Sequence, residues 1–319
     1  MAELSNQLMA VTVLAYLAAM VCYAAEYAFG DKSHIGRAAT RQLVGAGAPV
    51  AEAPPAVVEP PKRDRGVLLG RIGVGLNGLA FALHLGTVTT RGIAAGRMPW
   101  GNMYEFILAV TLVGSAVWLG VLTRKPAIRH LGLFVALTLV VLLGAAGLIA
   151  YTPVGPLVPA LQSYWFYIHV TTIILSSGIF LVGAVPAAMF LIRSGYDQGR
   201  RSFPYTLGAK VPAAASLERL TFRMHAFAFP LFTFGALIAG PLWAEASWGR
   251  YWGWDPKETW AFISWIVYAC YLHARATPSI KRTTATWIAL VGFATMLMNL
   301  FGVNLFFEGL HSYANAGDN

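Results

Sequence analysis

Apolar residues run through this chain in blocks too long for the core helices of a small globular domain. Eight of them approach or exceed the roughly 17–25 residues that a bilayer-spanning helix needs. They lie near 7–29, 67–90, 104–122, 131–150, 170–192, 222–243, 258–274 and 284–306. The pattern predicts an all-α polytopic membrane protein with about eight transmembrane helices. Pro186 and Pro230 fall inside two of the blocks, where a straight and a kinked helix are both compatible with the pattern. The first block carries Glu3 and no Lys or Arg before it, the opposite of the basic start of a cleavable signal peptide, so it is read as a retained span. Between the first two blocks, residues 30–66 break the pattern. Their "APVAEAPPAVVEPPKRDR" portion is rich in Ala and Pro, as expected of an extended linker.

Composition agrees with this picture. The chain of 319 residues is 57% hydrophobic and 12% charged, whereas soluble domains carry about 25% charged residues. A net charge of +9 raises the question of a nucleic-acid partner until the basic residues are placed. Of the 23 Lys and Arg, 18 lie in alternate loops: 30–66, 123–130, 193–223 and 274–283. The opposite loops hold only Arg91, Arg97, Arg250 and Lys257, and Arg71 sits about one turn inside the second span, where a snorkelling side chain is expected. The positive-inside rule makes the crowded side cytoplasmic, with both termini and the loop 248–260 outside. The basic excess thus reports membrane orientation, with lipid and no nucleic acid as the implied surroundings.

Cys22 and Cys270 stand alone in apolar spans with no CxxC pair, so the chain shows no thiol-redox chemistry of its own. Nor is there a phosphate-cradling Gly loop, a Ser-His-Asp grouping or a Zn-ligand spacing. The unusual chemistry is aromatic. "WGRYWGWDPKETW", residues 248–260, concentrates four of the chain's ten tryptophans. Within it Asp255, Pro256 and Glu258 have the form of a helix start, with Asp as N-cap, Pro at N1 and Glu at N3. That accounts for the polar residues and starts the seventh span at Pro256. Trp248, Trp252, Trp254 and Trp260 are denser than an ordinary interfacial belt. Together they could form an apolar shelf for a flat aromatic ligand.

Seven histidines bear on which ligand. His34 and His130 fall in cytoplasmic loops among basic residues and are expected to be solvated. His169 and His311 lie at the outer ends of the fifth and eighth spans, level with the tryptophans. Two histidines converging on one aromatic loop fit axial ligation of a haem iron, although either alone is also an ordinary interface residue. His273 lies about 27 Å along a helix from Asp255, at 1.5 Å per residue, and so close to the cytoplasmic face. His225 is at similar depth, and His84 is in the outer half of the second span.

"WGRYWGWDPKETWAFISWIVYACYLHAR" closely resembles the Trp-rich "WWD" signature of haem-handling membrane proteins, most of all the CcsA/ResC type of the system II cytochrome c biogenesis pathway. "PWGNMYEF" (99–106), "YWFYIHV" (164–170) and "GLHSYA" (309–314) are similar to that family's pattern too. The resemblance runs from about residue 67 to residue 314, so the chain is expected to divide into a first transmembrane helix (1–29) that agrees in type only, a basic cytoplasmic linker (30–66) particular to this chain, a haem-handling membrane domain (67–314) that includes the WWD segment, and an external tail (315–319). It implies a multi-pass protein of the bacterial plasma membrane that binds haem b, as substrate and bound ligand, and delivers it to the outer face. With a ResB-type partner it would act as part of a cytochrome c haem lyase, attaching haem to the CxxCH motif of apocytochrome c. By the same resemblance His169 and His311 are the external haem ligands, the tryptophans and Asp255 contact that haem, and His273 ligates haem in transit opposite a ligand from the partner. His225 and His84 match no motif histidine, though His225 could serve as a ligand in cis. Two other classes stay open from the residues alone. One is an electron-transfer cytochrome holding a permanent bis-His haem, and the other is a transporter whose tryptophans merely anchor it at the interface.

Overall fold

A computed structural model describes residues 1–29 and 65–311. The Pro/Ala-rich linker, His34 and the expected external tail lie outside the described residues. Every regular element described is helical. The α-helices are α1 (Ala2–Phe29), α2 (Arg65–Ala95), α3 (Met103–Arg124), α4 (Gly132–Ile149), α5 (Tyr164–Asp197), α6 (Ala214–Phe234), α7 (Gly240–Trp248), α8 (Pro256–Ala276), α9 (Arg282–Leu297) and α10 (Val303–Phe306). Two π-helical turns interrupt what would otherwise be continuous rods: Gly235–Ala239 joins α6 to α7, and Met298–Gly302 joins α9 to α10.

Among the described residues seven helical stretches are long and apolar enough to cross a membrane: Ala2–Ala28, Arg65–Ala95, Met103–Arg124, Pro126–Ile149, Tyr164–Asp197, Ala214–Trp248 and Arg282–Phe306. The remaining expected span, the seventh along the chain, exists as α8, but Lys257, Glu258, His273 and Arg275 make it more polar than the other seven. Its 21 residues still measure ~31 Å at 1.5 Å per residue, close to the thickness of the hydrocarbon core. Pro186 and Pro230 both lie inside unbroken α-helices. The chain is therefore a multi-pass membrane protein by architecture.

Helix α5 organises the bundle. Residues 176–187 are buried without a break, and its small side chains Ser176, Ser177, Gly178, Gly183, Ala184 and Ala187 let other helices approach closely, as membrane interfaces favour. It packs on α6, α3 and α9; α1 and α2 pair with each other, α1 also rests on α4, and α8 lies between α6 and α9. Local chemistry marks the helix starts. Asn102 accepts from the Glu105 backbone N–H at 2.9 Å to open α3. Ser163 does the same for α5 through the Trp165 N–H. At α8 the expected capping box is present: Asp255 accepts from the Lys257 N–H, and Glu258 accepts from the Asp255 N–H.

Several charged residues of the helices are paired, as the absence of water favours. Arg91 and Arg97 both donate to the fully buried Glu105, at 3.0 and 2.8 Å. That cluster fixes the 96–102 turn, since Glu105 also accepts from the Gly101 N–H. At the other end Arg129 pairs with Glu26. Arg71 is exposed, as a snorkelling residue would be. His130 departs from expectation. It is only 5% exposed, because the 3-10 turn Pro126–Leu131 folds it against the bundle while neighbouring Arg129 reaches α1.

Candidate functional site

The N-terminal ends of α3, α5 and α8 and the C-terminal ends of α7 and α9 surround a large cavity. Counting its open mouth and the solvent there, the space free of atoms is about 1380 Å³. Its lining is mostly apolar, with aromatic walls from Trp100, Phe166, Trp243, Trp248 and Trp252. Two imidazoles, His169 and His311, line the same space.

Each imidazole is held by its Nδ1. The His169 Nδ1–H donates to the Gly235 carbonyl at 2.8 Å. That carbonyl belongs to the π-turn, where it also accepts from the Gly240 N–H, so a local irregularity in the α6–α7 rod supplies the acceptor. His311 donates through Nδ1 to Asp255 Oδ1 at 2.8 Å. Asp255 in turn accepts from the backbone N–H groups of Lys257 and Leu310, at 3.0 and 2.7 Å. Burial works to raise the Asp255 pKa, but His311 and these two N–H groups outweigh it, so the carboxyl lies below its ordinary value. The helix cap foreseen from the sequence thus has a second use: the same carboxylate orients an imidazole. With Nδ1 occupied as donor, the lone pair of each ring resides on Nε2, the arrangement that orienting partners give to metal-binding histidines.

Trp243 contacts both rings. It stacks on His169 at a centroid distance of 5.4 Å and 19°, and meets His311 edge-on at 5.4 Å. The two imidazole centroids are therefore no farther apart than about twice that distance. Trp243 is fixed by its own indole N–H, which donates to the Ala160 carbonyl at 2.9 Å, a carbonyl that also accepts from Ser247. Trp248 packs against His311 at 5.0 Å and against Trp243 at 4.9 Å.

The aromatic cluster expected from the sequence divides in two. Trp248 and Trp252 line the cavity; Trp254 and Trp260 do not. Trp254 is 64% exposed, makes edge contacts with Trp252 and Phe262, and has a left-handed backbone at φ 58°. Glu258 holds that conformation by accepting from the N–H groups on either side, Gly253 and Asp255. Trp100 and Trp243 line the cavity although neither belongs to the 248–260 stretch. An isolated Trp followed by Gly-Asn and another amid Pro-Leu carry no signal of this convergence.

The other histidines are elsewhere. His273 is exposed on α8 near its C-terminal end. His225 is buried on α6 and His84 on α2; the His84 Nδ1 lies 3.4 Å from the Tyr16 hydroxyl.

The sequence pattern of the cytochrome C assembly protein family matches residues 100–311, beginning and ending at two residues that line the cavity, Trp100 and His311. The chain belongs to that family. Its relatives include the cytochrome c biogenesis protein CcsA of Guillardia theta, 35% identical over 257 residues, which cover 76% of this chain and 85% of the relative. CcsA of Gloeobacter violaceus is 32% identical over 295 residues, covering 77% of this chain and 87% of the relative. In the solved structure of cytochrome c heme lyase CcmF, a likeness with a TM-score of 0.60 at 18% identity covers 99% of this chain and 48% of that one. The chain thus spans about half of that protein's length, and the likeness is one of fold. The resemblance read from the WWD segment is upheld: this is a CcsA-type member of the cytochrome c assembly family, and its role lies in cytochrome c biogenesis.

Proposed function

We propose that the outer cavity holds haem b between His169 and His311 and presents it for covalent attachment to apocytochrome c. The observation that carries this is the matched anchoring of the two imidazoles. Each uses Nδ1 as a donor to a protein oxygen, which directs Nε2 chemistry to the iron, and both stand against Trp243 on one aromatic cavity wall. The residues fit the group: two nitrogen ligands, a flat apolar enclosure and an open mouth.

Attachment adds a substrate thiol across each vinyl group. A C–S bond forms at one vinyl carbon and the thiol proton ends on the other, with no net oxidation or reduction. The CxxCH segment of apocytochrome c supplies the nucleophiles, so this chain needs none. Its residues orient the macrocycle, exclude water from the apolar walls, and yield one axial position to the incoming substrate histidine. Proximity can contribute much of such a rate. His273, exposed on α8, suits a ligand shared with a ResB-type partner that brings haem through the plasma membrane, with both termini and the Trp-rich loop outside.

The test is a purification from haem-replete cells, with and without a co-expressed ResB-type protein. A low-spin bis-His spectrum is expected. A His169→Ala/His311→Ala double variant should lose it, and added imidazole should partly restore it, since imidazole fills an axial position but cannot rebuild a helix contact. An unchanged spectrum in the folded double variant overturns the assignment. Supplying an apocytochrome peptide with CxxCH should remove haem from the protein; a resident electron-transfer haem would stay.

A further inference from the structure

Among the described residues one cation of the cavity wall forms no salt bridge, and nearby Asp255 acts on it only at a distance, its oxygens taken by His311 and two backbone N–H groups. Lys257 lies at the second position of α8 and lines the cavity beneath the aromatic walls. Its Nζ donates to the Asn299 carbonyl at 3.0 Å and lies 3.9 Å from the Met103 sulfur. Among the described residues no carboxylate is within 4.0 Å of it. An ammonium has three donors, and here one carbonyl and a soft thioether are its partners. The Asn299 carbonyl belongs to the second π-turn, Met298–Gly302, so a helix irregularity again shapes this part of the wall. Glu258 lines the cavity too, but its carboxylate already accepts from the Gly253 and Asp255 N–H groups and lies 3.6 Å from Arg250.

A cation with no contacting counterion in an apolar enclosure is costly unless the occupant supplies one. Resting on the haem reading above, we infer that Lys257 anchors a propionate carboxylate of the bound haem. Propionates and vinyl groups lie on different edges of the macrocycle. A charge-assisted hydrogen bond at one edge fixes rotation about the iron–nitrogen axis, which two axial imidazoles alone leave free. Lys257 thereby selects the edge that faces the apocytochrome thiols.

The full chain, co-purified with its partner and stripped of haem, is titrated with iron protoporphyrin IX and with its dimethyl ester, which keeps the iron and vinyls but has no carboxylates. The diacid should bind the native protein roughly 10–100-fold more tightly, the range of one charged hydrogen bond. Lys257→Met should bring that preference close to one while the low-spin bis-His spectrum persists, and Lys257→Arg should keep most of it. Equal affinity of the native protein for the two porphyrins overturns the anchor and leaves haem binding standing. Lys257→Met weakening both porphyrins alike also overturns it, because Lys257 would then serve only to tie α8 to the π-turn. Binding of neither porphyrin by the native protein removes the haem reading itself.

Discussion

His169 and His225 make nearly the same local bond in two different halves of the molecule. Each donates Nδ1 to a carbonyl at 2.8 Å, and each rests on a glycine of a neighbouring rod. A Cβ on Gly240 would come within 3.1 Å of the His169 Nδ1, and one on Gly183 within 2.9 Å of the His225 Cε1. The acceptors differ. His225 uses Thr221, one turn back on its own helix, whereas His169 uses Gly235 in the π-turn of another. The surroundings differ more. Phe180, Tyr268 and Tyr271 close around His225 at centroid distances of 5.4, 5.5 and 4.9 Å, while His169 faces an open cavity. Residue type and tautomer do not separate the two histidines; the cavity beside His169 and the aromatic cage around His225 do. Both π-turns border that space: Gly235–Ala239 contributes Ala236 to its lining, and Met298–Gly302 contributes Asn299 and Leu300.

The largest expected effect breaks the pair apart. His225→Ala removes a fully enclosed ring from an aromatic cage, and large-to-small changes of that kind cost about 2–4 kcal/mol. Thermal unfolding in detergent should show that loss, with haem per folded molecule unchanged at the outer face. His225→Ala protein that is stable but has lost bound haem would instead make His225 a ligand in cis, and the inner half would no longer be a packing region.

Much of this division is visible in the sequence and part is not. The apolar blocks report the spans because a bilayer imposes length and continuity on each, and α8 starts at Pro256 as Asp255 and Glu258 indicate. His169 and His311 stand out by their level in the membrane. What the pattern could not express is the course of two helices that pass through π-turns. Nothing in "FGALIAG" or "MNLFG" announces an i+5 bond, so the convergence of Trp243 and Gly235 on His169 was hidden. His130 misled for a different reason: its basic neighbours describe a charged loop, but Arg129 is tied to Glu26 and the imidazole turns inward.

A middle-sized effect sharpens the comparison at the glycines. Gly240→Ala favours helix intrinsically, yet its methyl would press on the His169 ring and on the Gly235 carbonyl at 3.3 Å. The expected outcome is a protein of near-native stability whose low-spin spectrum is weakened, because second-layer changes at metal ligands cost roughly 10–100-fold in affinity. Gly183→Ala should do the reverse, lowering the unfolding temperature and leaving the spectrum alone. If both variants changed the spectrum equally, the two halves would be one coupled site.

The smallest effect marks where the outer site stops. Trp254 and Trp248 share the same dense stretch, but Trp248 touches His311 and Trp254 faces outward with a left-handed backbone. Trp254→Gly relieves strain of about 1–2 kcal/mol at that φ and gives up two edge-on aromatic contacts worth roughly 0.5–1.5 kcal/mol each. These offset one another, so stability should stay within about 1 kcal/mol of the native protein. Haem affinity should likewise remain within about threefold, while Trp248→Ala, which opens the wall beside His311, should weaken it well beyond that. Haem titration of the two purified variants, side by side, makes the distinction. A tenfold loss in folded Trp254→Gly would extend the haem surface beyond the cavity to the outermost ring. Retained binding confines it to the tryptophans that reach the two imidazoles.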